Sequence, residues 1–567
     1  MFTPNPSRLV HPVLLLACLA SSAQAQLTET SAKTWGAADV DYTTSIHVGP
    51  NGDLYLSGLT RSFGAGEDAL LLKYDSSGKF QWARVWDSGK TDKTAGRAYV
   101  AGDGIYMSGY TPGASDDDVL LLRFDLDGTS TLATTWDSGT AEHADTVFSD
   151  SANNLYLAGG TGSGGPAGEN VLLMKYPPAP SAATQPSVAR AWGGDRDESI
   201  NGGVVDGSSG TEFVYVVGST TSFGAGLRDV LVQKYTSALD LVWSRTWGGP
   251  GRENACGVTV DADGNVYVVG ATHGFGGVDF DAVLLKWSSA GDLLWARVWR
   301  ASGDEDVREV TVGDCAQNVY VAGGTSGFDA GGMLDGLLIK FDPQGNVQWS
   351  KTWGADSQQD AIGKPIVATG LLRVTGATSC VPGVLVDRVG TVFDPLSDVV
   401  QNQDAVAPID LALGAPVDVS RPATAPAPTA CQSLDSVLLE FSTSGPAASV
   451  VTRNVAPNVV SYTALAPVLG ECWSGTVDLT TTGHSLAVVL GYDSPGNMTL
   501  AGGQVVLMGG TELFKLLPLT PGPQATWSFV MPYDIVLLGL TAYTQAVHLG
   551  GVTPFALSNA QDMTVGF

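Results

Sequence analysis

A tryptophan that returns at nearly constant spacing constrains this sequence more than any other feature. Neighbouring members of the series lie 50 to 56 residues apart. Such a period is typical of repeat proteins, in which each unit buries its apolar faces against its neighbours. We therefore expect most of the chain to form one array of seven similar units. The tryptophans are Trp35, Trp86, Trp136, Trp192, Trp247, Trp299 and Trp353.

Two further motifs recur with the same period. The first is Tyr-x-x-Gly-x-Thr, which begins at Tyr55, Tyr106, Tyr156, Tyr215, Tyr267 and Tyr320, and has Arg373 in the tyrosine position of the seventh copy. The second is an acid or amide, an apolar run, a base and an aromatic residue. The first six copies run from DALLLKY at Asp68 to DGLLIKF at Asp335, and the seventh, DSVLLEF at Asp435, has an acid in the basic position.

The segments of each unit predict β-strands. They are short, rich in Val, Leu, Tyr and Trp, and bounded by Gly, Asp, Asn or Ser, which are strand and turn signals. Four antiparallel strands in each of seven units are the signature of a seven-bladed β-propeller. We expect an all-β chain with this propeller at residues 28–455, followed by a small β-sandwich at 456–567.

The two ends of the repeat region predict ring closure. The last copy lacks the Trp-x-[Arg/Lys]-x-Trp strand after Phe441, whereas Ala32-Lys33-Thr34-Trp35 matches Ser350-Lys351-Thr352-Trp353. We predict that the N-terminal segment supplies the outermost strand of the seventh blade, which would cover an exposed sheet edge.

The repeat is similar to a known family. GNVYVVGAT, DAVLLKW and LLWARVW resemble the SBBP β-propeller repeats of secreted bacterial proteins, over about 28–455. The resemblance implies seven blades and no catalytic residues. LGLTAYTQ at 538–545 and ALSN at 556–559 resemble a C-terminal domain of secreted bacterial surface proteins. That domain implies sorting or surface attachment, and capping of the propeller is the alternative.

The N-terminus predicts export. Residues 1–25 combine Arg8, an apolar stretch and Ala23-Gln24-Ala25, so we expect signal-peptide cleavage near Ala25 and a secreted or cell-surface protein. A lipoprotein signal at Cys18 is the competing interpretation. No later apolar stretch is long enough for a transmembrane segment. The net charge of −28 argues against nucleic acid as a partner.

The seventh unit carries a long insertion at about 384–430, flanked by Cys380 and Cys431. A disulfide between these cysteines would close a loop of about 50 residues and stabilise the fold by about 4 kcal/mol. The insertion is interpreted either as a tolerated surface insertion or as a flap over one propeller face that contacts a ligand.

Charged residues also recur at fixed places. Six residues after each tryptophan stands an acid, which would form a ring at one mouth of the channel: Asp41, Asp92, Glu142, Glu198, Glu253 and Glu305, with Gln359 in the seventh unit. The ring would bind a cationic ligand or accept hydrogen bonds from turns. The basic residues of the repeat, such as Arg84 and Lys73, are expected to lie across aromatic rings as part of the scaffold.

No catalytic motif stands out in this sequence. Asp261-Ala-Asp263-Gly-Asn265 resembles the start of a calcium loop, but it lacks the distal Glu of such a loop and the matching turns of sibling repeats favour a hairpin turn, so no cofactor beyond a possible calcium ion is indicated. We expect a non-enzymatic scaffold that binds a protein or polysaccharide at the cell surface. The alternatives are a quinone-dependent dehydrogenase or a glycosidase or lyase, and both lack their characteristic motifs here.

Overall fold

The structure is a computed structural model that describes residues 26–564 with gaps. In the repeat region up to 354 the gaps are 65, 91, 103, 163–167, 276–278, 314–316 and 329–332. After 354 they are 355–360, 369–370, 379–383, 388–390, 394–398, 403–408, 411–416, 419–434, 445–448, 454–457, 459, 461, 465–471, 481, 483–485, 501–503, 517–523, 531–540 and 550–555. The expected signal peptide, Cys380, Cys431 and Gln359 lie outside the described residues.

The described part of the chain is all-β, without a helix, and the repeat region forms antiparallel sheets in series. Sheet 1 contains β2 Asp41–Val48, β3 Leu54–Thr60, β4 Asp68–Tyr74 and β5 Phe80–Trp86. Sheet 2 contains β6 Lys93–Ala101, β7 Gly104–Pro112, β8 Asp117–Asp125 and β9 Ser130–Trp136. Sheet 3 contains β10 Glu142–Ser149, β11 Leu155–Thr161, β12 Asn170–Tyr176 and β13 Val188–Trp192.

Three more sheets repeat this pattern of four consecutive strands. Sheet 4 contains β14 Glu198–Asp206, β15 Phe213–Thr220, β16 Asp229–Thr236 and β17 Leu241–Gly248. Sheet 5 contains β18 Glu253–Val260, β19 Val266–Thr272, β20 Asp281–Trp287 and β21 Leu293–Arg300. Sheet 6 contains β22 Glu305–Gly313, β23 Asn318–Thr325, β24 Asp335–Phe341 and β25 Val347–Gly354.

Sheet 7 joins the two ends of the repeat region. It contains β26 Ala361–Ala368, β27 Leu371–Thr378 and β33 Asp435–Ser444, with β1 Gln26–Trp35 as its fourth strand. Lys33 lies opposite Leu438 and Trp35 opposite Ser436, which is the register in which Arg84 and Trp86 pair within sheet 1. The predicted role of the N-terminal segment as an outer strand of the seventh unit is therefore confirmed.

The hydrophobic core is divided into clusters that lie between neighbouring sheets. The middle strands, such as β19 and β20, are buried at every residue, because both faces of a sheet are apolar and each needs a neighbour to cover it. All seven repeat tryptophans are 2% exposed or less. One cluster joins Trp35 and Leu438 of sheet 7 to Leu54 and Leu56 of sheet 1.

The glycine of the Tyr-x-x-Gly-x-Thr motif has a steric role. The innermost strand of each sheet is bulged opposite this residue, as between Ala255 and Gly257 opposite Gly270. A Cβ atom on Gly270 would lie 1.8 Å from the carbonyl oxygen of Asn254, so no other residue fits without moving the bulge.

Several basic residues of the repeat link one sheet to the next. Lys73 of sheet 1 donates from Nζ to the carbonyl of Leu126 in sheet 2 at 3.1 Å, and its ammonium lies 5.2 Å from the Tyr55 ring centre. Lys234 makes the same bond to Ser289 of the following sheet. This confirms the scaffold role that the sequence predicts for these positions.

The insertion lies along the outer edges of five sheets. It supplies β28 Val384–Asp387, β29 Thr391–Phe393, β30 Val399–Asn402, β31 Ile409–Asp410 and β32 Val417–Asp418. These strands pair in turn with the outermost strands of sheets 6, 5, 4, 3 and 2. The described parts of the insertion thus occupy edges that would otherwise be open, which supports its interpretation as a surface insertion.

The C-terminal region contains a five-stranded and a three-stranded sheet. The first has the order β34 Ser449–Arg453, β41 Ala556–Thr564, β40 Thr541–Leu549, β37 Leu486–Thr499 and β38 Val505–Leu516. The second has the order β35 Tyr462–Ala464, β36 Cys472–Asp478 and β39 Gln524–Val530. The strand β34 precedes the expected domain boundary at 456.

Candidate ligand-binding end of the sheet array

One end of the array, here called the entry end, is where each innermost strand begins and where the second strand of each sheet leads into the third. The six acidic residues at fixed spacing lie at this end, and all six side chains are fully buried. They are Asp41, Asp92, Glu142, Glu198, Glu253 and Glu305.

Each of these six carboxylates has the same two hydrogen-bond donors. One is the backbone N–H four residues earlier, as from Gly249 to Glu253 at 2.9 Å. The other is the motif threonine, as from Thr272 to Glu253 at 3.0 Å. The same pair of bonds is made to the other five. This geometry favours the structural interpretation, in which the acid holds the incoming loop against its sheet. Ligand binding by the ring stays a prediction.

Burial makes some of these carboxylates weak acids. Desolvation raises the pKa of Glu305 to about 8; the bonds from Ala301 and Thr325 oppose the shift, and the charge of Asp281 adds to it. Desolvation likewise raises the pKa of Glu253 and of Asp41. A buried carboxylate favours its neutral form, because the low-polarity surroundings replace water poorly around a charge.

A cleft of about 490 Å³ opens at the entry end between sheets 4, 5 and 6. Its wall combines the guanidinium groups of Arg228 and Arg252 with the ring of Phe280 and the carboxylates of Asp304 and Asp306. Arg228 and Arg252 are exposed. Such a mixture of an apolar ring, cations and carboxylates can hold a polar chain that offers both hydroxyl or amide groups and apolar edges.

The residue directly before the acid or amide that opens the third-strand motif differs from sheet to sheet. From sheet 1 to sheet 6 it is Glu67, Asp117, Glu169, Arg228, Phe280 and Leu334. Its backbone carbonyl nevertheless keeps one role, for Arg228 accepts from the N–H of Glu253 at 2.8 Å and Phe280 accepts from Glu305 at 2.7 Å. The fold depends on the backbone of this position, so the side chain at the entry end can differ between sheets. As a result, sheets 1 to 3 place acids there, while sheets 4 to 6 place a cation and two apolar groups.

A second cavity, of about 170 Å³, is lined by residues from the innermost strands of all seven sheets. Arg97 of sheet 2 reaches across it to Glu309 of sheet 6, with Nη2 2.9 Å from Oε1, and donates to the carbonyl of Cys256 in sheet 5 at 2.9 Å. Lys364 Nζ lies 3.2 Å from Nε2 of His47. Desolvation lowers the pKa of His47 well below its ordinary value, and the charges of Lys364 and Arg97 lower it further.

The sequence by itself does not reveal this charged group. Arg97, Glu309 and Lys364 occupy one bulge position whose other members are small: Ser45, Thr146, Gly202 and Gly257. The bulge varies in length, so Arg97 follows Asp92 by five residues whereas Glu309 follows Glu305 by four. The available sequence signal is a charged residue at a position where the other repeats have a small residue. This position can be aligned between repeats only once the strand register is known.

The possible calcium loop forms a hairpin turn. Asp261 accepts at Oδ1 from the N–H groups of Asp263 and Asn265, at 3.0 and 2.8 Å, and Lys286 Nζ lies 3.3 Å from its Oδ2. Gly264 completes the turn with φ of +79°. The side chain of Asp261 therefore serves the turn.

Comparison with protein-family models finds no match for this chain, and no curated protein is similar to it. Among the described residues, no helix is both long and apolar enough to cross a bilayer. The interpretation of the entry end therefore depends on its geometry.

Proposed function

We propose that this chain is a secreted or cell-surface binding scaffold without enzymatic activity, built on a closed seven-bladed β-propeller of the SBBP type with a small C-terminal β-sandwich. Its ligand is a protein or polysaccharide at the cell surface, and the binding site is the cleft at the entry end between sheets 4, 5 and 6. Export and a sorting or attachment role of the C-terminal domain are part of this proposal.

Contacts between the first and last sheets support the closed ring. Arg373 of sheet 7 donates from Nη2 to the carbonyl of Ser76 in sheet 1 at 3.0 Å, which is the position that Leu126 holds for Lys73. The buried cluster of Trp35 with Leu54 joins the same two sheets. The Arg97–Glu309 ion pair spans the interior from sheet 2 to sheet 6.

The observation that carries the binding function is the contrast between fixed and variable positions. At the position before the third-strand motif acid the backbone bond recurs, while the side chains change from acids to Arg228, Phe280 and Leu334. A purely structural surface has no need of this asymmetry. Recognition of an asymmetric ligand does require it, because a few specific groups must lie on one side of a repeated scaffold.

The hydrogen bonds of Glu305 argue against the glycosidase alternative. Glu305 lines the cleft and its raised pKa of about 8 is the kind that a general acid has. Its donors are nevertheless the backbone N–H and threonine that every sibling carboxylate has, so the same environment is repeated around the array. The residue holds a loop, and within the described part of the chain its hydrogen-bond partners are of the same kind as those of the other five acids.

The test is a binding measurement with a charge reversal in the cleft. The chain from residue 26 is assayed against a panel of polysaccharides and against intact cells. Arg228→Glu is expected to weaken binding by at least about tenfold, the size of effect that a hot-spot residue has. Lys79→Glu is the matched control, since Lys79 is exposed on the turn between the third and fourth strands at the opposite end of sheet 1.

Three results would contradict the proposal. Equal losses in Arg228→Glu and Lys79→Glu would mean that binding follows overall charge. Release of sugar, or quinone-dependent dye reduction, by the purified chain would favour one of the enzymatic alternatives. Binding that disappears on deletion of residues 384–430 and survives Arg228→Glu would move the site to the insertion.

A further inference from the structure

The junction between sheets 1 and 2 contains three carboxylates at one point. Asp68 begins the third strand of sheet 1, Asp87 follows Trp86 at the end of its fourth strand, and Asp92 precedes the first strand of sheet 2. One carboxylate oxygen from each lies within 4.8 Å of the other two. Asp68 and Asp92 are fully buried.

Asp68 is a buried carboxylate without a donor. Within the described part of the chain, neither of its oxygens accepts a hydrogen bond, although both are shielded from solvent. Asp92, in contrast, accepts from the N–H and hydroxyl of Ser88 and from the hydroxyl of Thr111. Burial of a charged oxygen that has no partner is costly, and a carboxylate pair beside it adds repulsion.

Sheet 5 shows what this junction holds when the chain supplies a cation. There the residue after the tryptophan is Arg300, which stands where Asp87 stands in sheet 1. Its guanidinium donates from Nε and Nη2 to the carboxylate of Asp281 at 2.5 to 2.9 Å. Asp281 is the counterpart of Asp68, so in sheet 5 the same buried acid is fully satisfied by a positive charge.

Sheets 3, 4 and 6 show the junction without a third side chain. They have Gly193, Gly248 and Gly354 at the same position. A Cβ atom on Gly248 would lie 2.2 Å from Oδ1 of Asp229 and 2.5 Å from Oε2 of Glu253, so this position points between the two acids. In sheet 4 the backbone N–H groups of Ala225 and Gly226 serve Asp229. In sheet 1 the same place receives a further acid.

We propose that Asp68, Asp87 and Asp92 bind a calcium ion at the junction of sheets 1 and 2. The ion takes the place that the guanidinium of Arg300 takes in sheet 5, and it supplies the partner that both oxygens of Asp68 lack. All three ligands are carboxylate oxygens, which hard divalent cations prefer over the nitrogen and sulfur ligands of zinc or copper. Variable ligand geometry suits calcium better than magnesium, which demands a near-octahedral shell.

A second group of three acids lies on sheet 2, although it contains Asp116 in place of Glu142, the counterpart of Asp92. Asp116, Asp118 and Asp137 also approach one another, but Asp137 is exposed and Asp116 is half-buried. Burial raises the pKa of Asp118 to about 6, the charges of Asp137 and Asp116 add to this shift, and the positive charge of Lys90 opposes it. This cluster is more open to water and already has a cation nearby, so the proposal is confined to sheet 1.

The test interchanges the residues that follow the tryptophan in sheet 1 and in sheet 5. Equilibrium dialysis with radioactive calcium and thermal unfolding with 5 mM CaCl₂ or EDTA, about the concentration that weak extracellular sites require, are measured on the full chain from residue 26. Asp87→Arg, which copies sheet 5, is expected to lose one bound calcium per chain and the calcium-dependent rise in Tm, while its Tm in EDTA equals or exceeds that of the unmodified chain. Asp127→Arg, on an exposed turn, is the control for net charge.

The reverse exchange makes the test independent of that one variant. Arg300→Asp creates the sheet 1 arrangement in sheet 5, and we expect it to gain a calcium-dependent stabilisation. Asp87→Gly, which copies sheets 3, 4 and 6, is expected to weaken calcium binding if Asp87→Arg does not fold. An unmodified chain that binds no calcium at 5 mM, or an Asp87→Arg chain that binds as much calcium as the unmodified one, would overturn the proposal.

Discussion

Arg373 donates from Nε to Oε1 of Glu440 at 2.8 Å, at the place where sheets 1 to 6 have a tyrosine beside a lysine or arginine. The cation has moved to the neighbouring strand and still reaches the next sheet, through its bond to the carbonyl of Ser76. Glu440 Oε2 in turn lies 2.6 Å from Lys33 of β1. The seventh repeat thus departs from the pattern twice, with Arg373 in the tyrosine position and Glu440 in the basic position. The two side chains pair with each other where the first and last strands of the repeat region meet.

This relationship predicts strong coupling between the two positions. Glu440 is 7% exposed, so Glu440→Lys would place a buried cation beside Lys33 and Arg373 and should destabilise the fold by about 3–5 kcal/mol. Adding Arg373→Tyr restores the pattern of the other sheets and should recover most of the loss. The double-mutant cycle is measured by urea unfolding. Additive effects of the two substitutions would contradict the pairing.

Removal of residues 26–35 should leave sheet 7 with an open edge at β33 and a gap at the site of Trp35. We expect a lower Tm and concentration-dependent aggregation. A synthetic peptide of residues 26–36 added in trans should restore the Tm, because the strand is held by register-specific pairing and by the buried indole. A scrambled peptide of the same composition serves as control. Equal rescue by both peptides would rule out specific strand addition.

The pH dependence of stability should contain a contribution from Glu305. Its pKa in the folded chain is raised from an ordinary value of 4.5 to about 8, so the folded state retains a proton that the unfolded state loses. Stability from this group is complete below pH 4.5 and falls as the pH rises through 8. The Tm of Glu305→Gln relative to the unmodified chain should therefore increase from pH 5 to pH 9. The exposed Asp292→Asn is the control, and parallel Tm profiles for Glu305→Gln and the unmodified chain would refute this contribution.

The motif glycines should tolerate no side chain. Gly270→Ala places a methyl group 1.8 Å from the Asn254 carbonyl and should cost about 1–3 kcal/mol through displacement of the bulged strand. Gly207→Ala meets only the Glu212 side chain at 3.5 Å and should be nearly neutral. Thermal unfolding of the two variants makes the comparison, and similar Tm values would show that the bulge yields easily.

Replacement of residues 384–430 by a short Gly-Ser linker tests the role of the insertion. Its strands pair with the outermost strands of sheets 2 to 6, so its loss should expose five sheet edges and promote aggregation. The cleft near Arg228 should keep its ligand affinity, since that residue lies at the entry end. Light scattering and the binding assay separate the two effects. A soluble variant that no longer binds would favour a flap that contacts the ligand.

The sequence by itself determined the repeat, the strand content and the N-terminal strand of sheet 7. It could do so because every unit has the same local requirements. Each unit must bury a tryptophan such as Trp35 and an apolar third strand, and each needs a glycine where two backbone segments come close together. It also indicated that the fixed acids and bases serve the scaffold.

Tertiary structure alone decided which residues of different sheets meet. The order in which the insertion follows sheets 6 to 2 comes from edge pairing, for which its short segments carry no distinctive pattern. The Arg97–Glu309 pair and the Asp68, Asp87 and Asp92 cluster join residues whose sequence spacing reflects a bulge or a sheet junction. Their charges interact through space, and the distances that decide those interactions exist only once neighbouring sheets have packed.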